Sequence, residues 1–149
     1  MSATLLLIAD DVVSQLNAAT TFALEFVAER RYQPRAKLTD LENAAIFVRP
    51  MVESGSRSSR NHWEHKYDLE IGILKRLVAT TASDEEAETD GLYAFSEAIV
   101  DFWKTRAANT SYLLDEFTYP DVLSEQSLNE QKVCLVRFTM TFKGWRAES

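Results

Sequence analysis

The sequence is poor in cysteine, glycine and proline, and each shortage excludes a class of protein. The single cysteine, Cys134, rules out an intramolecular disulfide framework and fits a reducing compartment. Four glycines and three prolines are too few for a collagen-like or low-complexity chain, and the glycines are too scattered to form a phosphate-binding loop. The 149 residues, 46% of them hydrophobic, therefore predict a single globular domain, 1–149, with its own core.

Long apolar runs and an excess of basic residues are also missing. The longest strictly apolar run, Leu5–Ala9, is far shorter than the roughly 20 residues that cross a bilayer, and no basic flank precedes it as in a signal peptide. The net charge is −7, from 16 basic and 23 acidic residues, and a field of that sign repels a phosphate backbone. We therefore expect neither a membrane nor a sequence-specific nucleic acid as a partner.

The charge is unevenly spread along the chain. Residues 84–101 contain acids and no base, whereas bases outnumber acids between Arg49 and Arg76. Such a distribution is typical of two solvated faces, and it also fits a subunit that meets copies of itself head to tail.

Hydrophobic periodicity predicts two helices. In the first, apolar residues recur at three- and four-residue steps from Leu5 to Leu16. In the second, they recur from Leu92 to Trp103, with acids in the first turns and bases in the last, as the helix dipole favours. Because Gly91 weakens a helix, we place the start of the second helix between Asp84 and Asp90.

Period-two alternation predicts the strands, separated by a long connection over 118–131. The segments are Phe22–Val27, Ala44–Val48 closed by Pro50, Tyr67–Ile73, a short Tyr112–Leu114, and Cys134–Phe142. Together the elements predict an α+β fold of two layers, a mostly antiparallel sheet of four to five strands covered by two helices. The predicted core is Leu5, Ile8, Val12, Leu69, Ile71, Ile99, Phe102, Val136 and Phe138.

Candidate sites for chemistry are few. His62 and His65 are three residues apart at the start of a strand, which sends their side chains to opposite faces, so we interpret them as surface or loop-edge histidines rather than a metal pair. The segment Glu86–Glu97 has the spacing of a calcium loop, but Glu at its first and third positions and its helical period favour an acidic helix start. Cys134 alternates with apolar neighbours and is interpreted as a core thiol. We expect no enzyme activity, no metal and no cofactor.

The polar segment Glu53–Asn61 (ESGSRSSRN) predicts a mobile loop between two strands. It contains Arg57 and Arg60, two bases with no apolar neighbour. Both are candidates for contact with a partner.

The order of segments resembles the tail terminator or tail-completion (minor tail) proteins of long-tailed bacteriophages and prophages. The resemblance spans nearly the whole chain and rests on pattern rather than on a diagnostic motif. It is carried by the opening helix, Phe26-x-x-Glu29-Arg30-Arg31-Tyr32-x-Pro34-Arg35, Ile46-x-Val48-x-Pro50, the polar loop, Tyr67-x-Leu69-x-Ile71, Asp101-Phe102-Trp103, and Phe138-Thr139-Met140-Thr141-Phe142 with Trp145-Arg146.

The resemblance implies a structural virion protein without catalytic residues. Such proteins form a homo-oligomeric ring, typically a hexamer, on the head-proximal end of the tail tube, where they end tube polymerisation and join the tail to the neck. The implied partners are further copies of the chain, the tail tube protein and a head–tail connector or neck protein, with Arg57 and Arg60 as interface candidates. The implied location is the tail or neck of the virion, after assembly in the bacterial cytoplasm.

Two other functions remain open from the sequence. One is a different phage part, a head–tail adaptor, a stopper or another minor tail protein. The other is an unrelated small α+β protein, either a ligand-binding module or an enzyme whose site forms only in three dimensions.

Overall fold

The structure is a computed structural model that describes residues 3–19, 22, 26–32, 44–57, 59–60, 62–76, 82–109, 111–118, 122–124 and 133–147. Within these residues the chain forms two helices and seven strands. They are α1 (Thr4–Ala18), β1 (Phe26–Arg30), β2 (Ala44–Arg57), β3 (His62–Arg76), α2 (Ala82–Lys104), β4 (Ala107–Ala108), β5 (Tyr112–Thr118), β6 (Val122–Ser124) and β7 (Val133–Ala147). Neither described helix has the length and apolar character that would span a membrane.

The strands form one mixed sheet in the order β1-β2-β3-β7-β5-β4, with β6 beside β7. The central strand β3 pairs with β2 on one side and with β7 on the other, so that Ile71 lies between Val48 and Phe138. All pairs are antiparallel except β1 with β2, which is parallel. The α+β, mostly antiparallel fold is confirmed, and the predicted four to five strands agree roughly with the sheet, which also contains very short strands. Strands β4 and β6 are only two and three residues long, too short to show an alternating pattern.

Both helices contribute to the core on one face of the sheet. Helix α1 packs on β1 and β2, and α2 packs on β5 and β7. Alternate residues of the sheet point into this core because successive side chains of a strand face opposite sides; they include Ile46, Val48, Tyr67, Leu69, Ile71, Ile73, Val136, Phe138, Met140 and Phe142. The predicted core is confirmed, except that Leu5 and Phe102 are only partly buried against it.

Hydrogen bonds fix α1 to the sheet at two points. The Asp11 carboxylate accepts from Gln15 Nε2 (2.7 Å) and from the backbone N–H of Asn109 (2.7 Å), where φ is 48°. Near the end of the helix, Asn17 Nδ2 donates to the Ala28 carbonyl (2.9 Å), and the Ala28 N–H donates to Asn17 Oδ1 (2.8 Å). The Asn17 amide thus takes the place of a neighbouring strand on the outer edge of β1.

Several predicted boundaries are wrong, and tertiary contacts explain three of them, at the start of α2, before β1 and within β2. Helix α2 begins at Ala82 and runs through Gly91, since burial of the flanking Leu92 and Phe95 outweighs a glycine cost of about 1 kcal/mol. Phe22 is not in a strand; its ring lies 5.6 Å from that of Phe26 and 5.6 Å from that of Phe95. Phe22 therefore belongs to an aromatic cluster between β1 and α2, and its apolar side chain is not evidence of a strand. Residues 23–25 lie outside the described ranges.

Pro50 does not close the second strand. Strand β2 continues to Arg57, with a register shift between Pro50 and Val52. Proline is tolerated at a bulge or where a strand edge has no partner. Both conditions hold among the residues that the structure describes, because the pairing of β1 with β2 ends at Val48 and the register of β2 shifts after Pro50.

Candidate interaction surface

Residues Glu53–Arg57 are part of β2 rather than of a loop. They pair with Tyr67–Trp63 of β3, from Glu53 opposite Tyr67 to Arg57 opposite Trp63. The predicted mobile loop is therefore wrong over this part; Ser58 and Asn61 lie outside the described residues. The glycine and serines predicted a loop because their side chains bury little apolar surface. Backbone pairing with β3 nevertheless holds this segment in a strand.

A three-stranded arm results. We define it as Met51–Arg57 of β2, Trp63–Tyr67 of β3 and Phe142–Ala147 of β7, which pair in register. All seven residues of its β2 segment are exposed, and Met51 and Val52 retain 41% and 50% of their accessible surface. The arm therefore offers an edge with both apolar and charged side chains to the surroundings.

The two candidate arginines meet at the tip of this arm. The Arg57 guanidinium lies 5.0 Å from the centre of the Trp63 ring, a cation–π distance. Arg57 Nη1 also lies 3.4 Å from the Arg60 carbonyl oxygen, to which it donates a long hydrogen bond. Both residues are exposed. The sequence thus correctly grouped Arg57 and Arg60, but Arg57 is the last residue of strand β2 rather than part of a loop.

The prediction of a surface position for His65 is wrong. It was expected at the surface, but it is 6% exposed, stacks on Tyr67 with a ring separation of 6.0 Å, and has Nδ1 3.6 Å from Glu53 Oε2. Its strand neighbours are Gly55 on β2 and Gly144 on β7. Glycine inside a strand often marks a place where another group comes close to the backbone. The two glycines were therefore the sequence signal that a bulky side chain, here His65, lies between them.

The face of the sheet opposite the helices carries charged pairs between strands. Arg49 lies 3.5 Å from Glu70, Lys143 3.4 Å from Glu64, and Lys66 3.5 Å from Asp115, while Thr141 Oγ1 donates to Asp68 (2.7 Å). Each partly exposed pair contributes at most about 1 kcal/mol. The ion pairs leave this face polar and electrically balanced.

The structure assembles no metal-binding group among the residues it describes. Within them, no three His, Cys, Asp or Glu side chains come close enough to hold an ion. Glu86–Glu97 lies inside the continuous helix α2, which confirms the helical interpretation over the calcium loop. His62 and Cys134 lie in β3 and β7, but their side chains are outside the described part of the structure.

Comparison with known proteins gives little further information. No family model matches the chain, and no curated protein matches its sequence. Among solved structures, a chain from the virion of a native gene transfer agent particle is similar over 96% of this chain and 100% of its own length, with 14% identity and a TM-score of 0.49.

Proposed function

We propose that this protein is a structural subunit of a tailed phage or a phage-like particle, acting as a tail terminator. In this role, copies form a ring, with six subunits as the expected number, at the head-proximal end of the tail tube. The ring ends tube polymerisation and presents a surface to the neck of the capsid.

The three-stranded arm is the observation that carries the proposal. A strand segment of seven consecutive exposed residues, with apolar Met51 and Val52 next to Glu53 and Arg57, adds little to the core of its own subunit. Exposed strand edges of this kind are sites where another chain pairs. The order of segments, which resembles tail terminator proteins, supplies the particular partners, the tail tube and the neck.

Imaging the protein together with tail tubes tests the proposal. We expect density at one end of each tube, the head-proximal end, and tubes of a defined length when the protein is present during polymerisation. Protein along the tube wall, or absent from its end, would contradict the terminator role. Binding to isolated connectors but not to tubes would instead favour a head–tail adaptor or stopper.

A further inference from the structure

The tip of the arm carries two arginines whose charge is not neutralised by an acid. Three bases elsewhere on the sheet each lie 3.4–3.5 Å from a carboxylate. Arg57 and Arg60, in contrast, have no acidic partner in the described part of the chain. The Arg57 guanidinium contacts the Trp63 ring and the Arg60 carbonyl oxygen, and these contacts leave its positive charge exposed.

Helix α2 carries a complementary row of acids. Glu86, Asp90 and Glu97 are all exposed, and their spacing places them within about 40° of one another around the helix. Because each residue advances about 1.5 Å along a helix, the row is about 16 Å long. Within the described ranges none of these three carboxylates has an ion pair, and no base occurs in the sequence from Asp84 to Asp101. We call Glu86, Asp90 and Glu97 the acidic row.

The arm tip and the acidic row lie at opposite ends of β2. This strand runs from Ala44 to Arg57, a length of about 40 Å at the usual rise per residue. Phe95, within the stretch of α2 that carries the row, lies 5.6 Å from Phe22, whose ring is in turn 5.6 Å from that of Phe26. Since Phe26 pairs with Ala44, the row is near the beginning of β2 and the tip is at its end. The two surfaces of one copy therefore cannot meet each other.

The side of α2 next to the acidic row is open to close approach. Ala87, Gly91 and Ala94 are small and exposed, and a Cβ added at Gly91 would meet nothing within 4 Å. A neighbouring chain can therefore reach the carboxylates of the row without displacing a bulky side chain.

We propose that copies of this chain join head to tail, with Arg57 and Arg60 at the arm tip of one copy against the acidic row on α2 of the next. This inference rests on the proposed ring function and names the surfaces that build the ring. Each copy carries both surfaces, one at each end of β2, so the contact can repeat from copy to copy. A heterologous contact of this kind closes into a ring when its rotation divides a full turn and otherwise extends as a filament.

Charge also excludes the pairing of like surfaces. Two tips would bring four arginines together, and two acidic rows would bring six carboxylates together. Juxtaposed like charges oppose association, so a two-fold contact through either surface is disfavoured. Because the contact joins exposed charges, it should weaken as the salt concentration rises.

An exchange of charges tests the contact in the full-length protein. One variant has a reversed tip, Arg57→Glu with Arg60→Glu, and the other has a reversed row, Asp90→Lys with Glu97→Lys. Sedimentation velocity over a range of concentrations measures the association of each protein. We expect each variant alone to associate at least about tenfold more weakly than wild type. An equimolar mixture should recover association, because the acidic tip of one variant then faces the basic row of the other.

The matched control is Arg106→Glu with Arg137→Glu, which makes the same change in net charge as the reversed tip. Both arginines are exposed and lie outside the tip and the row, so this protein should associate as wild type does. Equal weakening by the control and by the reversed tip would show that net charge, rather than this contact, controls association.

The other outcomes separate this contact from the terminator function. Wild type that remains monomeric, or a mixture that associates no better than its two components, contradicts the contact. If wild type caps tail tubes while the mixture recovers nothing, the contact is wrong and the terminator function stands. If the mixture recovers association but wild type never localises to tube ends, the contact stands and the terminator function is wrong.

Discussion

Two glycines have opposite roles, and replacing each with alanine should show it. At Gly144, an added Cβ would overlap the Tyr112 ring, lying 2.6 Å from Cε1, and would come within 3.2 Å of the Ser111 carbonyl oxygen. At Gly91, in the exposed part of α2, it would meet nothing within 4 Å. We expect Gly144→Ala to lower the free energy of unfolding by about 1–3 kcal/mol through overpacking. Gly91→Ala should raise it by about 0.5–1 kcal/mol.

Urea unfolding followed by circular dichroism measures both changes. The two variants make the same chemical change and so serve as controls for each other. Equal effects at the two positions would show that the Tyr112 ring moves aside at little cost.

Asn17 should matter more for stability than its exposed position suggests. Its amide pairs with both the N–H and the carbonyl of the buried Ala28. Asn17→Ala leaves both backbone groups without that partner, and we expect a loss of about 1–2 kcal/mol in the free energy of unfolding. Asn17→Asp keeps the acceptor but loses the donor, so it should not restore wild-type stability.

The matched control for Asn17 is Ser14→Ala, an exposed position on the same helix. It should leave stability unchanged or raise it slightly, because alanine is the better helix former. If Asn17→Ala proved as stable as Ser14→Ala, the amide would have no stabilising role at the edge of β1.

The tip of the arm should affect attachment rather than folding. Arg57→Glu combined with Arg60→Glu removes the cation–π contact with Trp63, which costs about 0.5–1 kcal/mol at an exposed site. We therefore expect a nearly unchanged melting temperature together with weaker attachment to tail tubes, measured by co-sedimentation. The control pair, Arg57→Lys with Arg60→Lys, keeps both charges and should retain attachment. If the charge-reversed protein sedimented with tubes as wild type does, the two arginines would not be contact residues.

Strands β3 and β7 were predictable because their alternation continues over many residues with one apolar face. Strand β2 was predictable only over Ala44–Val48, the part that faces the core. Beyond Pro50 its order comes from pairing with β3, and a sequence read one segment at a time does not show the partner strand. The same reason explains His65, whose burial depends on Gly55 and Gly144 from two other strands. The grouping of Arg57 with Arg60 was predictable because they are neighbours in sequence.

The molecule as a whole should unfold in one step. Residues from both helices and from strands β1 to β5 and β7 belong to a single buried cluster. Phe138, 1% exposed on β7, is part of it, and we expect Phe138→Ala to lower the free energy of unfolding by about 3–5 kcal/mol. Circular dichroism and tryptophan fluorescence should give the same midpoint for wild type.

A suitable comparison is Leu113→Ala, a large apolar residue that is 60% exposed. It should change stability by no more than about 0.5 kcal/mol. Separate midpoints for the two probes would indicate that the helices and the sheet unfold independently.

The central position of β3 also determines when the chain can complete its fold during synthesis. On the β7 side, Ile71 is paired with Phe138. The ribosome adds Phe138 long after it has synthesised β3. Until then β3 can pair only with β2, and its other edge, from His62 to Arg76, has no β7 beside it. Pairings between distant segments are slow to form and leave nascent chains prone to aggregation. Completion of the core is thus coupled to translation of β7, and a ribosome that stalls before this strand holds a chain with an open sheet.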